Sequence, residues 1–241
     1  ILLTILMMIT GAFSYWFGGW SLSAGLVIFL FINGLTGAGF FNKKYQAFGL
    51  DYKKDPAPYT IDNLRLLNDS THIKADQQLT LQALQNWRSK FPADKKPKML
   101  FVCVSGGGIR AALWSLNALQ TADSLSNGAL FNHTMLITGA SGGLIGASYF
   151  RELKLREKLQ EKINPYQASH RQKISTDNLN PLIFSLLAND LFVGFNKFDY
   201  AGIEYTRDRA YTFEDQLNQI TEGLMDKPVK AYVPYELSAT I

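Results

Sequence analysis

Two glycine-rich turns constrain this chain more than any other feature. They are Ser105-Gly106-Gly107-Gly108-Ile109-Arg110 and Gly139-Ala140-Ser141-Gly142-Gly143. Each follows a short apolar run that reads as a buried strand, Met99–Val104 and Met135–Thr138, and each precedes a helix-like stretch. Strand, glycine loop, helix, strand, glycine loop, helix is a βαβ unit with one helix added. A right-handed crossover brings both loops to the carboxyl ends of parallel strands, where α/β folds place their sites. Gly106, Gly107 and Gly108 allow backbone N–H groups to approach an anion without side chains in the way. Ser141 sits on a tight strand-to-helix turn, the arrangement of a nucleophile elbow, with the following helix dipole at its back. An N–H cradle beside an exposed serine is the minimum equipment for acyl transfer.

The chain has 241 residues and a formal net charge of +4, unevenly distributed. From Ile1 to Asn42 there is no Asp, Glu, Lys, Arg or His. About 20 apolar residues cross a bilayer, so this stretch predicts two passes. Gly18-Gly19, between Trp16 and Trp20, is the expected turn, with the tryptophans at a membrane–water interface. Leu22–Phe41 is the expected second pass. Lys43, Lys44, Lys53 and Lys54 follow it, which by the positive-inside rule predicts a multi-pass membrane protein with the rest on the cytoplasmic side. The excess positive charge suits an anionic membrane surface. No basic stripe interleaved with aromatics is present, so a nucleic-acid partner is not expected. The expected divisions are a transmembrane hairpin over 1–42, a linker and amphipathic helix over 43–97, and an α/β domain over 98–241.

Within that frame Lys43 to about Ala75 reads as an irregular linker, and Ala75–Phe91 as a helix stopped by Pro92. Helices are predicted over Ala111–Asn127, with Gly128 as its terminator, over Gly142–Ile163, and over Arg207–Gly223. Gln167–Asn180 reads as a polar loop and Val229–Ile241 as a strand. Pro181–Phe195 is apolar yet too short to span a bilayer, and would offer an acyl-chain entry route. Cys103, the single cysteine, is expected in the core. Neither it nor His72, His133 or His170 has metal-ligand spacing. His170, downstream of Ser141 in a polar stretch, makes a Ser–His arrangement conceivable. Arg110 at a helix start opposes the helix dipole, a local cost that suggests a phosphate or carboxylate contact.

Ser-Gly-Gly-Gly-Ile-Arg-Ala-Ala followed by Gly-Ala-Ser-Gly-Gly resembles the patatin-like phospholipase family, in the variant shared with cytosolic phospholipase A2. The similarity covers roughly Lys98 to Ile241. It implies a three-layer α/β/α fold and hydrolysis of phospholipid or other acyl-ester lipids by a Ser–Asp dyad, with no metal or cofactor. On that match Ser141 is the nucleophile, Gly106, Gly107 and Gly108 form the oxyanion hole, and Arg110 takes the position of the motif's basic residue. Ser105 stands where patatins often have Asp, and Ala111 where they often have Gly; both point to the phospholipase A2-like branch. The family's aspartate lies in an Asp-Gly-Gly or Asp-Gly-Ala turn downstream of the serine. No Asp here is followed by Gly, so the expectation is a piece of a longer chain whose aspartate lies beyond Ile241. A second reading comes from another class. Thr138–Gly146 also resembles the nucleotide loop of short-chain dehydrogenases, and Gly106-x-Gly108-x-x-Ala111 passes as a loose dinucleotide fingerprint. Against it, no tyrosine has a lysine four residues later.

Overall fold

The computed structural model describes residues 2–38, 47, 50, 52–190 and 197–237. In chain order the helices are α1 (Leu2–Phe17), α2 (Ser21–Gly37), α3 (Ile61–Leu67), α4 (Ser70–Ser89), α5 (Gly108–Leu125), α6 (Ala129–His133), α7 (Ser141–Lys158), α8 (Ala168–Ile174), α9 (Leu179–Ser185), α10 (Arg209–Ile220) and α11 (Val233–Leu237). The strands are β1 (Leu100–Val104), β2 (Thr134–Gly139), β3 (Lys197–Tyr200) and β4 (Ile203–Thr206). The result is a helix-rich α/β chain with two small sheets. It divides into two compact units, Ile1–Tyr52 with Asn180–Thr212, and Lys53–Leu179 with Phe213–Ile241.

In the first unit α1 runs into α2 through a single 3-10 turn, Gly18–Trp20, where Gly18 takes φ +50°. The helical run Leu3–Leu35 has a mean hydropathy of 1.6 over its most apolar window, none of it buried. Among the described residues that makes one helical run long and apolar enough to cross a membrane, where two separate passes were expected. Thr10 and Asn33 turn their polar groups back onto the carbonyls of Leu6 and Phe29, so these two donors are satisfied within the run. Phe41, Lys43 and Lys44 lie outside the described residues. The same unit holds an antiparallel hairpin of β3 and β4, with Tyr200 opposite Ile203. Its turn puts Ala201 and Gly202 at positive φ, the geometry of a tight hairpin. The apolar segment after Pro181 is α9 followed by a π turn, Leu186–Asp190. Leu191, Phe192, Val193 and Phe195 lie outside the described residues.

The second unit opens with α3 and the first residues of α4, where a linker was expected; the rest of α4 is the helix predicted over Ala75–Phe91. Two polar residues of the expected linker, Thr60 and Asp69, are helix caps. The Thr60 hydroxyl accepts from the Asn63 N–H, and the Asp69 carboxylate accepts from the N–H groups of Thr71 and His72. At the far end of α4 the Arg88 guanidinium donates to the carbonyls of Phe91, Pro92, Ala93 and Lys95, shaping the turn that leads into β1. β1 and β2 pair in parallel, with Phe101 opposite Leu136 and Val104 opposite Gly139. α5 is the crossover between them. It ends where Asn127 and Gly128 both take positive φ and the Gly128 N–H donates to the Asp123 carbonyl at 2.8 Å, the terminator the sequence predicts.

The core lies where α5 packs on α7. Ala112, Leu116 and Leu119 meet Ala147, Phe150 and Leu153, closed by Phe131 and Ile174. Each fully buried large side chain contributes about 1.5–3 kcal/mol. Val102, Val104 and Ile137 pack against the same core from the sheet. Phe101 and Leu136 face outward. Cys103, expected in the core, is also exposed; strand alternation puts it on the face opposite Val102 and Val104.

Two buried acids are fully partnered. Asp123 accepts from the Phe131 N–H and the Tyr166 hydroxyl, both at 2.8 Å, with the Lys154 ammonium at 3.2 Å. Glu152 accepts from Lys227, Arg156 and Tyr232. Burial would raise the Glu152 carboxyl, yet these three donors hold it below the ordinary carboxylate value.

Two further readings are corrected. Of Val229–Ile241, expected as a strand, Val229–Leu237 is a 3-10 turn followed by α11, and residues 238–241 lie outside the described residues. Val229 is 84% exposed, so the apparent alternation buries no face there, and Pro234 fits the first turn of a helix. The polar stretch after Gln167 forms α8, and its His170 is 4% exposed. The His170 Nε2 donates to the Asn164 carbonyl at 3.0 Å, which leaves Nδ1 to accept from the Tyr149 hydroxyl at 2.9 Å. The surroundings therefore favour the neutral ring. Burial pushes its pKa below the ordinary 6.5, and the Tyr149 hydroxyl is pushed up to about 12. Below pH 6.5 the unfolded chain then binds a proton that the fold resists, so His170 stabilises above that pH and its contribution fades on acidification. The melting temperature is expected to fall from pH 6.5 toward 5, and a His170→Gln variant to lose most of that slope. An unchanged slope in the variant would assign the acid sensitivity elsewhere.

Candidate active site

The site is built from the two loops at the carboxyl ends of β1 and β2. Ala140 is extended, and Ser141 then turns to φ +52° as the first residue of α7. A non-glycine residue in this left-handed region is strained by about 1–2 kcal/mol. The strain lifts the serine out of the strand and onto the end of a helix, as the sequence predicts for an elbow. Ser141 is exposed, and its hydroxyl engages no partner among the described residues.

The first loop lies directly against it. A Cβ placed on Gly106 would come 3.3 Å from the Ser141 Cβ and 3.8 Å from its Oγ, so only a glycine backbone passes the serine freely. Gly107 and Gly108 take φ +129° and +64°, turning the chain into α5. The two loops interlock through the glycines of α7. A Cβ on Gly142 would sit 1.8 Å from the Gly108 carbonyl oxygen, and one on Gly143 2.0 Å from that of Ser105. Gly146 meets the Ala112 carbonyl in the same way one turn further on. These contacts seat α5 on α7 with backbone against backbone and hold the Gly106–Gly108 segment beside Ser141.

Arg110 stands in the first turn of α5, exposed, and makes no ion pair among the described residues. It lines a groove of about 530 Å³ with Trp114, Asn117 and, from α8, Arg171. The spacing of Trp114 four residues after Arg110 was a legible signal for one wall of that groove. Arg171 had none, because only the packing of α8 on α5 brings it there.

The histidines are committed elsewhere. His170 is bonded at both ring nitrogens, and its partner Tyr149 lies more than two turns along α7 from Ser141, about 12 Å on a regular helix. The Ser–His arrangement is therefore not what the structure builds. His133 bonds the Lys98 carbonyl at 2.7 Å and lies 4.6 Å from the Phe91 ring, bracing the entry to β1. His72 pairs with Asp69 at the α4 cap. Among the described residues no group of three or more His, Cys, Asp or Glu gathers as metal ligands.

Ser141 and the Gly106–Gly108 loop are thus brought together, Arg110 stands two residues beyond Gly108 in α5, and no described side chain hydrogen-bonds the serine. No protein-family model, curated protein or solved structure matches the chain.

Proposed function

We propose that the chain carries the nucleophile half of a membrane-associated serine hydrolase of patatin-like, three-layer type that cleaves the acyl ester of a phospholipid or lysophospholipid. The observation that carries this reading is the left-handed Ser141 at the start of α7, pressed against Gly106. A loop with only structural duty has no need of an exposed, strained serine beside a side-chain-free backbone. In the proposed reaction the Ser141 Oγ attacks the ester carbonyl and loses its proton to an aspartate that this reading places beyond residue 241. Backbone N–H groups of Gly106–Gly108 and the α7 dipole stabilise the oxyanion. The alcohol leaves, and water then releases the acyl group from Ser141. The apolar run at Leu3–Leu35 keeps the enzyme at its lipid substrate. We place the domain on the cytoplasmic side, with Leu3–Leu35 as its membrane anchor.

The test is labelling of Ser141 by a fluorophosphonate probe together with release of fatty acid from a lysophospholipid, in the longer chain that supplies the aspartate. Residues 1–241 alone are expected to turn over at least about 100-fold more slowly, since a positioned base contributes 10²–10⁴-fold. Robust turnover by these residues would put the base inside them.

A further inference from the structure

No residue of α3 is buried. Its start is nonetheless firmly built. The Thr60 hydroxyl caps the first turn, and the Asn63 side-chain amide donates to the Pro58 carbonyl at 2.7 Å. Ile61, Leu64 and Leu67 recur at i, i+3 and i+6, which puts them on one stripe of the helix. All three are exposed, Ile61 to 68% and Leu67 to 61%. Asp62 and Arg65 lie off that stripe and pair with each other at 3.6 Å, so the polar side is neutral within itself. α3 has seven residues, and isolated helices shorter than about 12 residues are marginal in water. In folded proteins such helices draw their stability from a covered apolar face. Here the apolar face, with Leu66 exposed beside it, is left to water. Aliphatic area kept in water is unfavourable, so the stripe gains from any apolar surface laid against it.

We propose that the Ile61–Leu64–Leu67 stripe docks on a bilayer surface that contains anionic lipid, with α3 lying in the interfacial plane. Four features favour lipid over protein. The chain reaches α3 from the apolar run Leu3–Leu35, so a bilayer that holds this run is presented to α3 at high effective concentration. The stretch between Leu35 and Ile61 carries Lys43, Lys44, Lys53 and Lys54 against Asp51 and Asp55, a basic excess that anionic head groups attract. Tyr59, exposed directly before the cap, has the amphipathic ring that settles at head-group depth. The stripe itself is wholly aliphatic, without the Trp, Tyr or Arg anchors that dominate protein interfaces. The inference rests on the membrane-anchor reading of Leu3–Leu35 and not on the hydrolase chemistry.

The test is fluorescence quenching in the full chain, reconstituted in nanodiscs of phosphatidylcholine with phosphatidylglycerol. Leu64→Cys, Leu67→Cys, Arg65→Cys, Leu125→Cys and Val27→Cys are made singly in a Cys103→Ser background, which removes the one native cysteine. Each variant carries an environment-sensitive nitrobenzoxadiazole label. At positions 64 and 67 the emission is expected to be blue-shifted and to fall by at least about half when the discs include lipid with a nitroxide high on its acyl chain. At Arg65→Cys, off the stripe, and at Leu125→Cys, exposed at the end of α5, the emission is expected to stay red and nearly unquenched. Two stripe positions are read, so one carries the result if the other variant does not fold. Red, unquenched emission at both would overturn the proposal, since the stripe would then stand in water. Blue-shifted emission that the nitroxide lipid leaves intact would overturn it in favour of a protein partner or a second copy of the chain. Equal quenching in discs of phosphatidylcholine alone would overturn the part assigned to anionic lipid. The label at Val27→Cys reports the anchor: quenching there but not at 64 and 67 refutes the docking alone, whereas no quenching at any position refutes the anchor reading with it. Labelling of Ser141 by fluorophosphonate reads the hydrolase proposal separately.

Discussion

Replacing Ser141 by alanine is expected to abolish fluorophosphonate labelling and to reduce lysophospholipid hydrolysis by about 10⁴-fold or more, since the nucleophile of a covalent mechanism has no substitute. The fold should be untouched. The Ser141 hydroxyl has no partner among the described residues, and alanine keeps the same Cβ at the same φ of +52°. Stability should stay within about 0.5 kcal/mol of wild type in a denaturant melt. Ser141→Gly separates strain from chemistry: it should be equally inactive and more stable by up to about 1 kcal/mol, because glycine adopts the left-handed region without cost. Labelling of Ser141→Ala at the wild-type rate would remove Ser141 from its role.

Gly142→Ala is expected to be the most destabilising glycine-to-alanine change among the described residues. The added carbon would lie 1.8 Å from the Gly108 carbonyl oxygen and 2.6 Å from the Gly108 carbonyl carbon. These are backbone atoms at the start of a helix, so no rotamer relieves the clash; α5 and α7 must separate. That opens the contact between Ala112, Leu116 and the α7 residues Ala147 and Phe150. A loss of about 3–5 kcal/mol follows from overpacking combined with core disruption. Activity should fall further than stability alone dictates, because the displaced atoms belong to the Gly106–Gly108 loop and a 1 Å misplacement can cost 10²-fold. Gly108→Ala is the control: a Cβ there meets nothing within 4 Å, leaving only the strain of φ +64°, about 1–2 kcal/mol. If the two variants melt alike, the two helices are not seated backbone to backbone.

Much of the site was legible in the sequence, because local chemistry dictates it. Paired glycine turns after apolar runs imply strand ends, and a serine amid glycines implies an elbow; β1, α5, β2 and α7 follow in that order. The helix terminator at Gly128 was legible for the same reason, since its φ of +80° is a local demand that glycine meets. The errors share a cause as well. Asn68-Asp69-Ser70 reads as loop or as cap from the same residue types, and only the finished α4 shows which. His170 looked solvated because its neighbours are polar. The packing of α8 against α5 and α7 buried it, something no window of neighbouring residues encodes. Val229–Leu237 alternates like a strand, but alternation specifies a strand only where one face is covered.

The sequence by itself marked the residues to which we assign the chemistry. Ser141, Gly106–Gly108 and Arg110 are marked by residue type and short-range spacing, and short-range spacing is what a chain can express before it folds. Tertiary structure alone decided how close the two loops come, which glycines of α7 are obligatory, and that Arg171, 61 positions beyond Arg110, shares its groove. Those facts depend on the distance between elements far apart in the chain, and that distance is set by side-chain volumes across an interface rather than by any local preference.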